Sequence, residues 1–158
     1  MFRELTRKNK KLSEEECYDL LANEKRGVLA VLGDGGYPYC TPMNHYLDKA
    51  TNKIYFHCGK KGHRLDSIKS NNKVSFCVYD NGYKKDGEWA LNVKSVIVFG
   101  KIEIIDDYDV IADITTKLSL KFTNDEQYIK NEIECHAKHT LLLCLTPENI
   151  CGKLVNES

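Results

Sequence analysis

Apolar and polar positions alternate with period two along several short stretches of this chain, and recur with helical spacing along others. Residues 28–32, Val-Leu-Ala-Val-Leu, form a continuous apolar run too short for a helix, which predicts a buried strand. Gly33-Asp34-Gly35-Gly36 predicts a hairpin turn, and residues 37–47 the returning strand. Pro38 and Pro42 cannot donate to a ladder, so this strand is an edge, is bulged, or stops pairing there. In the next strand Ile54 and Phe56 share one face, and Tyr55 and His57 the other. Residues 73–79 alternate cleanly, with Val74, Phe76 and Val78 inward. Residues 93–105 predict a long β-branched strand with a bulge or bend at Gly100. Residues 140–145 form a last buried strand, ended by Thr146-Pro147, with Gly152-Lys153 in the tail.

The helical spacings are fewer. Ser13 and Glu16 stand at capping-box distance, opening a helix that runs to about Asn23 with Cys17, Leu20 and Leu21 as its apolar stripe. Leu65 and Ile68 share one side of a short helix over 63–70. Val110, Ile111, Ile114 and Leu118 predict a helix over 107–120, and Tyr128, Ile129 and Ile133 another over 125–137. Six strands joined mostly by hairpins favour a mainly β, antiparallel fold closed into a small barrel, with short peripheral helices. At 158 residues, positions 1–158 form one domain.

Composition narrows the partners. A formal net charge of zero argues against a general nucleic-acid binder. The basic start of the chain, residues 1–12, reads as a solvated lead-in that a partner subunit would order. No run of 18 apolar residues indicates a membrane span. The charged N-terminus lacks an apolar signal core, so a cytoplasmic protein is expected. Seven cysteines without a C-x-x-C pair then read as reduced thiols, with Cys40, Cys77 and Cys144 as small core hydrophobes. Ser-His-Asp, Walker and Rossmann glycine patterns are missing from convincing positions, and G-D-G-G at 33–36 joins two strands.

The chemistry concentrates in residues 53–70. A strand empties through a basic, glycine-punctuated turn, Gly59 to Gly62, into a helix start. A helix N-terminus offers free N–H groups and the positive end of a dipole, so this turn is a candidate anion cradle. Glycines let the backbone approach a ligand, and His63 and Arg64 add charge-assisted donors.

Five segments in order carry a resemblance to a known family. They are G-Y-P-Y-C-T-P-M-N-H-Y (36–46), I-Y-F-H-C-G-K-K-G-H-R-L-D-S-I (54–68), N-N-K-V-S-F-C-V (71–78), V-K-S-V-I-V-F-G-K-I (93–102) and I-C-G-K (150–153). Together they resemble the flavin-mononucleotide-binding split barrels of the pyridoxamine 5′-phosphate oxidase superfamily, and within it the 5-nitroimidazole-resistance (Nim) group. The resemblance implies a six-stranded antiparallel split β-barrel binding FMN. It implies that Pro42, Met43 and Asn44 pass along the flavin ring and that His57 and Cys58 end the next strand beside it. Gly62, His63 and Arg64 would hold the phosphate, and Lys94, Ser95 and Val96 would lie near the ribityl chain or ring. It further implies a homodimer with flavin sites at the interface, and an oxidoreductase that reduces a small electrophile, such as a nitro compound, with an electron donor. His57 is the candidate catalytic residue, orienting or protonating a substrate; a hydrogen-bonded barrel histidine is the plainer account.

Rival readings stay beside this one. The protein is a flavin-binding module without catalysis, or a split barrel that binds heme. Cys58 is a small strand residue or, with Lys60, Lys61 and His63 nearby, a thiol of lowered pKa. Cys135-His136-x-x-His139 offers three possible ligands but no obvious fourth, and a helix end is the plainer account. Trp89, Tyr83 and Tyr79 read as core packing, or as cover for a ring or a dimer contact.

Overall fold

A computed structural model describes residues 2–156. These residues form seven strands and four α-helices: α1 (Glu14–Asn23), β1 (Arg26–Leu32), β2 (Pro38–Asn44), β3 (Tyr46–Asp48), β4 (Lys53–Gly59), α2 (His63–Ser70), β5 (Lys73–Tyr79), β6 (Asn92–Ile105), α3 (Tyr108–Ser119), α4 (Glu126–His136) and β7 (Thr140–Asn156). The strands form one sheet in the order β2-β1-β5-β6-β7-β4-β3, antiparallel at every pairing.

The seventh strand arises where six were expected. The predicted strand over 37–47 breaks at His45, and its halves pair at opposite edges of the sheet, β2 with β1 and β3 with β4. One residue therefore joins the two edges and closes the sheet into a barrel. His45 is held there from three sides. Its Nε2 lies 2.7 Å from the Leu21 carbonyl oxygen, its backbone N–H donates to Lys25 O, and Lys121 Nζ donates to its carbonyl at 3.0 Å. Its ring is fully buried and meets Phe76 edge-on at 5.0 Å. β2 pairs only with β1, so Pro38 and Pro42 sit on an edge strand, as their missing donors require.

The last strand is longer than the sequence indicates. β7 continues through Pro147 to Asn156. Phe99 pairs with Asn149 and Gly100 with Pro147, so Glu148 is the extra residue of a bulge. The bulge absorbs the proline that was expected to end the strand. Gly100 lies opposite, where a Cβ would run into the Thr146 carbonyl oxygen.

The core is the barrel interior, centred on Leu29, Ile54, Phe56, Phe76, Val98 and Leu143, all 0% exposed. The capping box of Ser13 and Glu16 is formed, and α1 buries Cys17, Leu20 and Leu21 against one end of the barrel. Three expectations about side chains fail. Cys144 is buried, but Cys40 is exposed and Cys77 half-buried, because they point to the outer face of the sheet. Val110 is exposed rather than part of the buried stripe of α3. Trp89, Tyr83 and Tyr79 are 73%, 47% and 60% exposed, so they are not core. The N-terminal lead-in lies against the barrel of its own chain, with Leu12 buried and its N–H donating to Gly152 O.

Candidate functional site

β4 delivers the chain into the basic turn, and Gly62 makes the entry to α2 possible. Its φ of 132° belongs to glycine, and it serves as N-cap. Gly62 O accepts from the amides of Leu65 and Asp66. The amides of His63 and Arg64, in the first turn, have no acceptor within the helix. They border a cavity of about 160 Å³ lined by Tyr39, Cys58, Gly59, Lys61, His63 and Arg64, among others.

Arg64 sets the cation of this cradle. Its Nη1 donates to Thr41 Oγ1 at 3.2 Å, which ties the guanidinium to the edge strand β2. Its Nε is buried and has no hydrogen-bond partner. A buried donor on a permanent cation, left without an acceptor, is costly unless a ligand supplies one. The cradle thus fits an anionic group such as a phosphate. His63 is engaged differently. Its Nε2 accepts from the Asp34 amide at 3.3 Å, and its ring lies 4.2 Å from that of Tyr39. It fastens the β1–β2 turn to α2 while still lining the cavity.

On β4, alternation separates His57 from Cys58. His57 faces a second groove, of about 290 Å³, shared with Asn44, Leu118, Phe122, Tyr128 and Ile133. The protein around it desolvates the ring, and the Arg64 charge adds to this, so its pKa falls below 6.5. The shift favours the neutral ring, although the residue is exposed at the mouth of the groove. Cys58 is buried beside the anion cradle, and burial pushes its thiol up against the opposing pull of Arg64. Of the two readings of Cys58, this favours the small strand residue over the activated thiol.

The remaining predicted residues divide by strand face. Asn44 lines the groove with His57, and its Oδ1 accepts from Arg26 Nε at 2.9 Å. Pro42 is exposed on the outer face of β2, while Met43 points into the barrel at 8% exposure. Val96 is fully buried in the barrel, and Ser95 is half-buried on the opposite face of β6. Lys94 Nζ is paired with Glu16 Oε1 at 3.0 Å, on the α1 side. These three residues of β6 line neither of the two cavities. His136 lies 3.7 Å from Glu132, and no group of three or more His, Cys, Asp or Glu suited to a metal ion is found among the described residues.

Sequence reasoning missed Tyr39 and Thr41, although both lie in the 36–46 segment and share the face that meets α2. It also missed the α3 and α4 wall of the His57 groove, whose apolar residues read only as helix packing.

A split barrel with a basic, glycine-punctuated turn between strand and helix, next to a groove containing a histidine, defines a class of β-barrels. Its particular family follows from comparison with known proteins. A family model described as pyridoxamine 5′-phosphate oxidase matches residues 13–154, and the chain belongs to that family. No curated protein sequence matches it. Among solved structures, a conserved hypothetical protein of Mycobacterium tuberculosis superposes with a TM-score of 0.79 at 18% identity, over 95% of this chain and 90% of that one. A candidate 5-nitroimidazole antibiotic resistance protein of Bacteroides thetaiotaomicron gives 0.76 at 15% identity, over 92% and 87%. An FAD-binding protein of Mesorhizobium loti gives 0.70 at 21% identity, over 92% and 96%.

Proposed function

We propose that the protein is an FMN-binding oxidoreductase of Nim type, with the phosphate at Arg64 and the ring toward His57. The observation that carries this reading is the unpartnered, buried Nε of Arg64 beside the free amides of α2. The Mesorhizobium protein is FAD-binding and the Bacteroides protein is a candidate nitroimidazole-resistance protein, which favours a flavin and, more weakly, a nitro substrate.

In this reading Arg64, Thr41 and the amides of His63 and Arg64 hold the phosphate, and Lys61 adds charge at the rim. Asn44 and His57 border the ring-side groove, and Leu118 of α3, Phe122 of the following turn and Ile133 of α4 exclude water from it. Bound flavin would supply hydride and single-electron chemistry. Neutral His57 can accept or donate a hydrogen bond at the substrate and, once protonated, deliver a proton.

A homodimer completes the proposal. Pro42, Val28, Cys77, Ile97 and Cys151 lie side by side on five adjacent strands. This row faces outward, flanked by exposed Tyr79 and Phe99, and an uncovered apolar sheet face is what a second copy would bury. Of the three β6 residues, Ser95 shares the outward face with Ile97 and would serve the flavin site across the interface, whereas Lys94 and Val96 face inward and would contribute through their backbone. The seven unpaired thiols suit a reducing, cytoplasmic setting.

The visible spectrum of the purified protein tests the cofactor. Flavin bands are expected, whereas a Soret band would replace flavin by heme. A colourless protein that takes up neither group would end the proposal. Steady-state reduction of a nitroaromatic with a nicotinamide donor tests the activity, and its absence with every donor leaves a flavin-binding module.

A further inference from the structure

The basic N-terminal run finds a place in the fold that the flavin reading does not use. A groove of about 930 Å³ lies between residues 5–10, the 85–92 segment and the end of β7. It shares no residue with the Arg64 cradle or the His57 groove. Its walls are anchored. Leu12 N–H donates to Gly152 O, Lys11 bridges to Lys153, and Tyr83 bridges to Asn92.

Four cations line it, Arg7, Lys10, Lys85 and Lys153, against one carboxylate, Glu88. None of the four belongs to an ion pair among the described residues, whereas Lys8, Lys60, Lys94 and Lys101 all do. Among the described residues lining the groove, four cations against one carboxylate make a local positive field. Trp89 stands in the same lining with 73% of its surface exposed. An exposed indole among unpaired cations combines a stacking platform with phosphate donors.

We propose that this groove is a second binding site, for a nucleoside phosphate. The phosphates lie against Arg7, Lys10, Lys85 and Lys153, and the base stacks on Trp89. Glu88, next in the chain to Trp89, supplies an acceptor for ribose hydroxyls or an exocyclic amine. The bounded groove, within the size range of small-molecule sites, favours a free nucleotide over an extended nucleic-acid strand. ADP is the moiety common to nicotinamide and flavin dinucleotides, so it probes the whole class.

Trp89 is the only tryptophan of the sequence, so its fluorescence reports this groove alone. Titration of the purified full-length protein with ADP should give saturable quenching. Adenosine alone and inorganic phosphate alone should bind more weakly. The double variant Lys10→Glu/Lys85→Glu should bind ADP at least about tenfold more weakly, since each lost charge-assisted contact is substantial. Its flavin content should be unchanged, and Arg64→Ala should leave ADP affinity unchanged, which separates this site from the flavin reading. No saturable quenching overturns the proposal, and so does equal affinity for adenosine. Tighter binding of single-stranded RNA, with displacement of ADP, would make the groove a nucleic-acid surface instead.

Discussion

Arg64 donates to Thr41 across the space between α2 and the edge strand β2, at 3.2 Å, and leaves its own Nε buried and unpartnered. The contact fixes the guanidinium without satisfying it. Arg64→Ala is expected to weaken FMN binding by about 1.5–3 kcal/mol, the range of a charge-assisted hydrogen bond. Thr41→Val should cost less, because it releases the side chain and keeps the charge. Calorimetric titration with FMN measures both; affinities equal to the parent protein would place the phosphate elsewhere.

His57 sits exposed at the groove, with its pKa lowered from the ordinary histidine value by desolvation and the Arg64 charge. Should it donate a proton, turnover must rise as pH falls below 6.5 and protonated His57 accumulates. His57→Gln should remove that acid limb and lower turnover more than FMN affinity. Parallel loss of turnover and affinity, with the pH profile intact, would make it a structural residue.

The closure of the barrel at His45 makes stability depend on acid. Burial, helped by the Lys121 charge and opposed by the bond to Leu21, lowers the pKa of His45 from 6.5 to about 4. The unfolded chain therefore binds a proton between these values that the folded chain refuses, so stability falls as pH drops from 6.5 toward 4. The full span corresponds to about 3 kcal/mol. Urea midpoints across this range should slope downward toward acid in the parent and flatten in His45→Asn. An equal slope in both proteins would assign the acid sensitivity to other groups.

Gly100 faces the bulge at Glu148 so closely that a Cβ would meet the Thr146 carbonyl oxygen and the Leu145 side chain. Backbone cannot yield as a side chain tip can. Gly100→Ala should destabilise by roughly 1–3 kcal/mol or more, as overpacking does. Thermal unfolding reads this directly, and an unchanged Tm would mean that β7 can shift at its bulge.

Local signals in the sequence determine the elements. Alternation fixes the inward faces of β4 and β5, the Ser13/Glu16 spacing fixes the start of α1, and the Gly-rich basic turn before Leu65 and Ile68 fixes the cradle at α2. These depend on side-chain period, capping chemistry and backbone freedom, which act within a few residues. Long-range pairing decided the rest. Only the closed barrel shows that residues 37–47 split at His45, because the break comes from two edges meeting there. Only the ladder with β6 carries β7 past Pro147, since an extra residue on one strand can skip a missing donor. And only tertiary packing brings Thr41 to Arg64, walls His57 with α3 and α4, and gathers the basic N-terminus around Trp89. Those contacts span tens of residues along the chain, where spacing in sequence carries no information about distance in space.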